Sequence, residues 1–141
     1  MLRHFFLVFS IFFTTATMAA ESLDFGDYTV DHTTFPSTLI DAEIAKTYGI
    51  KRSKYETLLN VFVSKKGTQG GVEVNITGTA TNLLGQQQNL RFLKIKEENT
   101  VYYIAPVRVT GEDLMKFKIT CTLLDDSEQF DLGFSKTLYK D

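Results

Sequence analysis

The chain has few of the residue types that build reactive or metal-binding sites. Its 141 residues include one cysteine, two histidines and no tryptophan. A single cysteine excludes a disulfide within the chain. Zinc and copper sites normally recruit several histidine or cysteine ligands, so we expect no metal centre. Asp27 and Asp31 could join His32 only in a weak site, and isolated polar surface positions explain these three residues better.

The chain also lacks the motifs of nucleophilic catalysis. It has no G-x-S-x-G sequence, and Ser53-Lys54 does not have the S-x-x-K spacing. Cys121 alternates with polar residues in FKITCTLL, which predicts that its thiol faces the core as a small apolar group. The acidic pairs Glu97-Glu98 and Asp125-Asp126 fall in predicted turns, where solvated carboxylates are ordinary. We therefore expect a protein that is not an enzyme and has no cofactor.

The long apolar run of this sequence lies at its N-terminus. Arg3 and His4 precede an apolar run over Phe5 to Phe13, and small or polar residues follow as far as Ala20. This order is typical of a secretory signal peptide, and the run is shorter than the ~20 residues that a membrane-spanning helix needs. We predict a signal peptide over residues 1–19 and a single domain over 20–141. The product would be periplasmic or secreted, with no membrane span after cleavage.

The mature chain has a small acidic excess. Residues 20–141 contain 14 basic and 17 acidic residues, a net charge of −3. Nucleic acids and anionic membranes favour partners with a strong basic excess. We therefore expect neither of them as the main partner.

Apolar and polar residues alternate with period two through most of the mature sequence. In VEVNITGTATN, one face would carry apolar or small residues and the other would be rich in threonine, as in a half-buried antiparallel strand. The same pattern recurs in FGDYTVDH, LLNVFVS, NLRFLKIKE, TVYYIAPVRV, MKFKITCTLL and QFDLGFSKTLY. These strands predict an all-β, immunoglobulin-like antiparallel β-sandwich, with a small closed barrel as the alternative. Pro106 predicts an edge or a bulge within its strand.

One segment, STLIDAEIAKTYGI, departs from this pattern. Ile40, Ile44 and Tyr48 recur every four residues, Asp41 or Thr38 is suited to the N-cap, and a glycine follows Tyr48. A glycine is the usual residue at a left-handed helix end. The sequence predicts one short amphipathic helix over residues 39–48.

The connection after this helix combines positive charge with aromatic residues. Tyr48, Arg52 and Lys54 lie within seven residues of one another, next to Tyr55. Aromatic residues and arginine are enriched at recognition surfaces, which makes these three residues a candidate partner-binding motif. Two other interpretations stay open. Arg52 could be a structural clamp on a carboxylate such as Asp41 or Glu56, or KRSK could be a plain solvated connection.

Several segments together resemble a family of small exported proteins of Gram-negative bacteria that is known only as a domain of unknown function. The most specific pieces are Tyr48-Gly49-Ile50 with Arg52-Ser53-Lys54, and Asn82-Leu83-Leu84-Gly85. The resemblance implies an exported β-rich domain and assigns no activity, cofactor or catalytic residue. We expect a non-catalytic binding or adaptor module for a protein or peptide partner, which would use a sheet edge or the helix-end patch. The alternative is a small-ligand carrier or enzyme with a pocket between the sheets.

Overall fold

A computed structural model describes residues 21–125 and 127–140, which fold into two antiparallel sheets. The predicted signal peptide lies outside these residues. The strands are β1 (Glu21–Phe25), β2 (Tyr28–Pro36), β3 (Glu56–Lys65), β4 (Val74–Thr81), β5 (Gln87–Asn89), β6 (Leu93–Glu97), β7 (Thr100–Arg108), β8 (Glu112–Leu123) and β9 (Gln129–Tyr139). The first sheet has the strand order β1-β2-β3-β7-β6, and the second has the order β5-β4-β8-β9. Within the described residues the two sheets are separate, so the predicted sandwich is confirmed and the alternative of a closed barrel is wrong.

Two of the strands were not predicted as separate elements. The opening run forms part of a hairpin in which Gly26, at φ +62°, turns the chain between β1 and β2. NLRFLKIKE contains parts of two strands, β5 and β6, which belong to different sheets. Leu90 marks this crossing: its side chain is buried, and its backbone amide donates to the carbonyl of Gly78 at 2.9 Å. Period two continues across such a crossing, so alternation alone does not reveal it.

The core between the sheets is built from their inward-facing apolar residues. Phe117, Ile119 and Cys121 are buried on β8, as their alternation predicted. Burial, with a smaller contribution from the charge of Asp131, raises the pKa of the Cys121 thiol to about 12. The prediction that this cysteine is a core residue is therefore confirmed.

A short helix, α1 (Ala42–Tyr48), covers the outer face of the first sheet. Asp41 is its N-cap, since its carboxylate accepts from the amides of Glu43 at 2.8 Å and Ile44 at 3.3 Å. Gly49 ends the helix in the left-handed conformation, at φ +68°. The predicted helix, over residues 39–48, was longer at its N-terminus: Leu39 instead ends a 3-10 turn, Ser37–Leu39, and α1 begins after the N-cap Asp41. Beneath α1 lies a second apolar cluster that includes Ala45, Leu58 and Ile104.

The expectation that His32 is a surface residue is wrong. His32 is only 3% exposed and its ring stacks on Phe134, with centroids 3.7 Å apart and an interplanar angle of 11°. Its Nε2 lies 3.7 Å from a carboxylate oxygen of Glu21. Burial lowers the pKa of His32, an effect that the nearby Lys136 strengthens and that Glu21 opposes. Its local sequence is polar on both sides, so nothing there indicates the stack.

Pro106 occupies a position where β7 has a strand on one side only. It is paired with Leu58 of β3, and the pairing of β7 with β6 ends earlier, at Ile104. A proline contributes no amide to a ladder, so it is compatible with this locally open stretch. The prediction of an edge at Pro106 is confirmed.

Candidate functional site

One end of the sandwich brings together four segments that are distant in the sequence. We call it the loop end, and it consists of residues 51–55, 82–86, 109–111 and 139–140. Two backbone hydrogen bonds join three of these segments: Val109 donates to the carbonyl of Tyr55 at 2.8 Å, and Lys140 donates to that of Gly111 at 2.6 Å. The loop end therefore includes the connection that the sequence singled out.

A pair of serines joins this connection to the 3-10 turn that follows β2. The Ser37 hydroxyl donates to the carbonyl of Ser53 at 2.7 Å and accepts from the amide of Ser53 at 2.9 Å. Ser37 is fully buried, so the two bonds replace water for an otherwise unsatisfied hydroxyl and peptide group. The backbone at Ser53 is consequently held in place.

Arg52 bonds to the backbone beside this serine pair. Its guanidinium donates to the backbone carbonyl of Thr38 at 3.0 Å. Among the described residues it forms no ion pair, so the partner is a carbonyl and not the suggested carboxylate of Asp41 or Glu56. This bond joins the 3-10 turn to the residues that follow α1.

Tyr48 and Lys54 lie in different environments, so the three residues of the predicted motif do not converge. Tyr48 is half-buried and packs against the apolar cluster beneath α1. Lys54 is exposed at the loop end, with its ammonium 5.4 Å from the ring centroid of Tyr55. Lys140 lies over the same ring at 4.9 Å. Of the predicted motif, Arg52 and Lys54 are exposed at the loop end, and Lys54 is the one that lies over an aromatic ring.

A recess of about 360 Å³ opens beside Tyr55. Its walls come from the connection, from the start of β3 and from the turn between β7 and β8. It is lined by Lys51, Ser53, Tyr55, Glu56, Arg108, Val109 and Thr110. A recess of this size can hold one or two side chains of a partner.

The loop between β4 and β5 presents two leucines to solvent. Leu83 is 80% exposed and Leu84 is 84% exposed, the highest values among the exposed large apolar residues of the described chain. Asn82 orders this loop: its side-chain oxygen accepts from the amides of Leu84 at 3.0 Å and Gln86 at 2.9 Å, and its amide nitrogen donates to the Gln86 side chain at 2.7 Å. The backbone of Asn82 adds bonds to Gln86 and Gly85, both at 3.1 Å. The leucines therefore project from an ordered loop.

Gln88 connects this loop to the first sheet. Its side-chain amide accepts from the Arg108 amide and donates to the Arg108 carbonyl, each at 2.9 Å. The Gln88 side chain thus bonds to the backbone of β7 beyond the point where the pairing of β7 with β6 ends. A second recess, of about 380 Å³, lies beside Gln88 and Arg108 and is also lined by Asn82, Thr110 and Met115. Arg108 thus lines both recesses.

The edge of β9 is a second candidate surface, because β9 pairs only with β8. The bonds from Lys140 to Gly111 and from Leu123 to Glu128 fix the phase of the ladder. Even-numbered residues of β9 bond to β8, and odd-numbered ones such as Ser135 direct their amides away from it. Lys136, however, lies on the inward face near His32, and an inward charge on an edge strand discourages strand addition. The edge is therefore a weaker candidate than the loop end.

Comparison with protein families matches residues 22–141 to a domain of unknown function, DUF4426. The chain belongs to the DUF4426 family. A crystal structure of a DUF4426 family protein from Pseudomonas aeruginosa PAO1 is 27% identical, with a TM-score of 0.79 over 86% of this chain and 96% of that one. The resemblance seen in the sequence is thereby confirmed. No curated protein matches the chain.

The fold also extends to a more distant protein, FetP of uropathogenic Escherichia coli strain F11. FetP as isolated after expression in the periplasm is 14% identical, with a TM-score of 0.63 over 86% of this chain and 94% of that one. A copper-bound variant of FetP is 15% identical, with a TM-score of 0.64 over 86% and 91%. At such identities the likeness establishes the common fold.

The described residues contain no group of three or more histidine, cysteine or acidic side chains placed to hold a metal ion. None of the helices formed by residues 21–125 and 127–140 has the length and apolar character of a membrane span. The groups available for contact with a partner are the exposed apolar, aromatic and cationic side chains of the loop end.

Sequence reasoning treated LLGQQQ only as a turn signal and as part of the family resemblance, and so missed Leu83 and Leu84 as candidate binding residues. The available signal was two adjacent leucines in a segment otherwise composed of turn-forming and polar residues. Leucines in such a segment belong to no strand or helix whose inward face could bury them.

Proposed function

We propose that the protein is an exported, non-catalytic binding or adaptor module that holds a protein or peptide partner at the loop end. The observation that carries this proposal is the pair of exposed leucines on a loop ordered by Asn82. Holding two leucine side chains in water on an ordered loop is unfavourable, and covering them in a complex would remove that cost. Exposed apolar patches of this kind commonly mark interaction sites.

The energetics of such a contact are favourable. Burying a leucine side chain fully contributes about 1.5–3 kcal/mol. Two leucines could therefore supply a large part of the free energy of a micromolar complex, which is about 8 kcal/mol. Because the loop is already ordered by Asn82, less conformational entropy is lost on binding.

The proposal that the module is non-catalytic rests on the dispersal of its reactive groups. Cys121 lies in the core with a raised pKa, and His32 is stacked on Phe134 away from the loop end. The recesses described above lie among surface loops, and another of about 770 Å³ lies at the opposite end beside Glu97 and Glu98. The space between the sheets is occupied by core side chains, which disfavours a carrier with a pocket there.

Export to the periplasm is the second part of the proposal, and it rests on the order of residues in the predicted signal peptide. The mass of the mature protein, measured on material from the periplasm of the source cells, tests it. Cleavage after Ala19 or Ala20 is expected, and a full-length chain held in the membrane fraction would contradict it.

The binding role is tested by affinity capture with matched leucine variants. The mature domain is immobilised, and the proteins retained from periplasmic extract are quantified for the wild type and for Leu83→Ser combined with Leu84→Ser. The control is Leu124→Ser, which changes a 52% exposed leucine in the turn between β8 and β9, at the opposite end. We expect the double variant to lose a specific retained protein and the control to keep it. Equal retention by all three proteins would contradict the proposal.

A further variant separates loop order from loop chemistry. Asn82→Ala keeps both leucines but removes three side-chain hydrogen bonds. Capture should weaken without being lost, because the loop would then have to be ordered on binding.

A further inference from the structure

We propose that the partner segment bound at the loop end is acidic, and that its carboxylates are recognised by Lys54, Lys140 and Arg108 around the ring of Tyr55. This inference rests on the proposed function, because it specifies the partner of the same surface. It comes from the placement of charge on the described residues.

The cations of the loop end are not neutralised within the described chain. Lys54 and Lys140 both lie over the Tyr55 ring, at 5.4 and 4.9 Å from its centroid, so two like charges share one small region. Arg108 lines both neighbouring recesses. None of these three side chains forms an ion pair with a described residue. A carboxylate placed near the ring would be attracted by both ammonium groups.

The ion pairs found among the described residues lie elsewhere. They join His32 to Glu21, Lys66 to Asp24, and both Lys94 and Lys96 to Glu73. The lysines outside the loop end thus include several with acidic neighbours, whereas those around Tyr55 have no described acidic residue within ion-pair distance.

The acids near the loop end leave this surface positive. Asp113 is engaged by Thr110, accepting from its amide at 2.8 Å and from its hydroxyl. Glu56 lines the Tyr55 recess and lies directly across the ladder from Arg108 of β7, but the two side chains do not form an ion pair in the described part of the chain. The third acid is Glu112, the first residue of β8. Among the described residues, five exposed cations stand against these three acids: Lys51, Arg52, Lys54, Arg108 and Lys140.

The opposite end of the sandwich has the reverse character. The turns there contain the acidic residues Glu97, Glu98, Asp125 and Glu128, and Lys65 and Lys66 lie at the same end. Among the described residues, the two ends of the sandwich therefore differ in charge, although residues 20–141 carry a net charge of only −3. Such polarity orients an approaching acidic group towards the loop end.

A polypeptide segment fits this surface better than a membrane does. The recesses of about 360 and 380 Å³ beside Arg108 are concave and sized for side chains, whereas a bilayer surface would leave them unfilled. The net negative charge of the mature chain also opposes adsorption to anionic lipid. We therefore commit to a peptide segment that combines carboxylates with apolar side chains, the latter meeting Leu83 and Leu84.

The test measures binding of two labelled peptides by fluorescence anisotropy. One is a fluorescein-labelled peptide of alternating glutamate and leucine, and the other has glutamine in place of every glutamate. We expect the acidic peptide to bind at least ~10-fold more tightly at low salt, and this advantage to shrink as salt screens the contacts. Equal affinity for the two peptides, or no binding of either, would overturn the inference.

Matched lysine variants locate the contact. Replacing Lys54 and Lys140 together by glutamine should weaken binding of the acidic peptide by about 2- to 30-fold, given the usual range for two exposed charge pairs. The control replaces Lys94 and Lys96 by glutamine, which removes two lysines that already pair with Glu73. An equal effect of both double variants would overturn the inference, and melting temperatures verify that all the proteins are folded.

The remaining outcomes separate this inference from the proposed function. If Leu83→Ser with Leu84→Ser abolishes capture of the cellular partner while the lysine variant binds that partner as well as the wild type, the proposed function stands and the acidic partner is wrong. Binding to phosphatidylglycerol vesicles but to neither peptide would replace the peptide by a membrane. Salt-sensitive self-association that prevents binding of the acidic peptide would overturn the peptide partner and indicate instead that the acidic end of a second copy binds at the loop end.

Discussion

The side-chain amide of Gln88 forms two hydrogen bonds with the backbone of Arg108, one in each direction and both at 2.9 Å. Gln88 belongs to the second sheet and Arg108 to the first, so this pair joins the sheets at the loop end. It also completes the hydrogen bonding of β7 beyond the end of β6. The position of Arg108 between the two recesses depends on it.

Gln88→Ala should therefore destabilise the fold. Each net hydrogen bond contributes about 0.5–1.5 kcal/mol, so we expect the free energy of unfolding to fall by about 1–3 kcal/mol. Urea denaturation measures this change. Gln87→Ala is the matched control, since Gln87 is exposed and its side chain makes no hydrogen bond with the described residues. Equal effects of the two substitutions would argue against the sheet-joining role.

Arg52→Ala should lower stability through loss of its bond to the carbonyl of Thr38. We expect a decrease of about 0.5–1.5 kcal/mol. Lys51→Ala, next to it and exposed, should stay within ~0.5 kcal/mol of the wild type. Thermal unfolding of the two variants distinguishes a clamp from a plain solvated connection, for which both substitutions would be neutral.

Acidification should destabilise the protein through His32. Its pKa is lowered in the folded state by burial, so the unfolded chain takes up a proton more readily. The stabilising contribution is complete above the ordinary histidine pKa of about 6.5 and is lost progressively as the pH falls below that value. Melting temperatures between pH 7.5 and 5.5 should fall for the wild type.

The matched variant for this experiment is His32→Phe, which keeps an aromatic ring against Phe134 and removes the titration. Its melting temperature should depend less on pH over the same range. An identical pH dependence would show that another group is responsible.

Cys121 should resist thiol reagents in the native protein. It is fully buried and its pKa is raised to about 12, so little thiolate is present or accessible near neutral pH. Modification by a disulfide reagent should be at least ~100-fold slower in buffer than in denaturant, because it requires local opening. Comparable rates would contradict the core position.

The sequence predicted those parts of the fold that local patterns determine. Alternation located the strands and the inward face of Cys121, and Asp41 with Gly49 marked the ends of α1. The crossing at Leu90 was missed because an alternating pattern does not record which sheet a strand joins. The burial of His32 was missed because its partner, Phe134, is about a hundred residues away in the sequence.

Within the candidate site, too, only locally determined features could be predicted. Lys54 could be proposed from its neighbours, since charge next to a tyrosine is a local feature. Its companion Lys140 lies 85 residues further along the chain than Tyr55, and the antiparallel return of β9 brings it to that ring. The exposure of Leu83 and Leu84 had a local signal, two leucines in a turn-forming segment, but the order of their loop depends on the hydrogen bonds of Asn82, which the sequence alone does not show.

The most direct test of the central claim is photo-crosslinking from position 84 in living cells. A photoreactive amino acid replaces Leu84, which is 84% exposed, and in a parallel strain it replaces Asn75, an exposed residue near the opposite end of β4. If the loop end holds a protein partner, ultraviolet light should produce a discrete higher-mass product from position 84 and none of the same mass from position 75. Identical patterns from the two positions, or no product from position 84, would contradict the account.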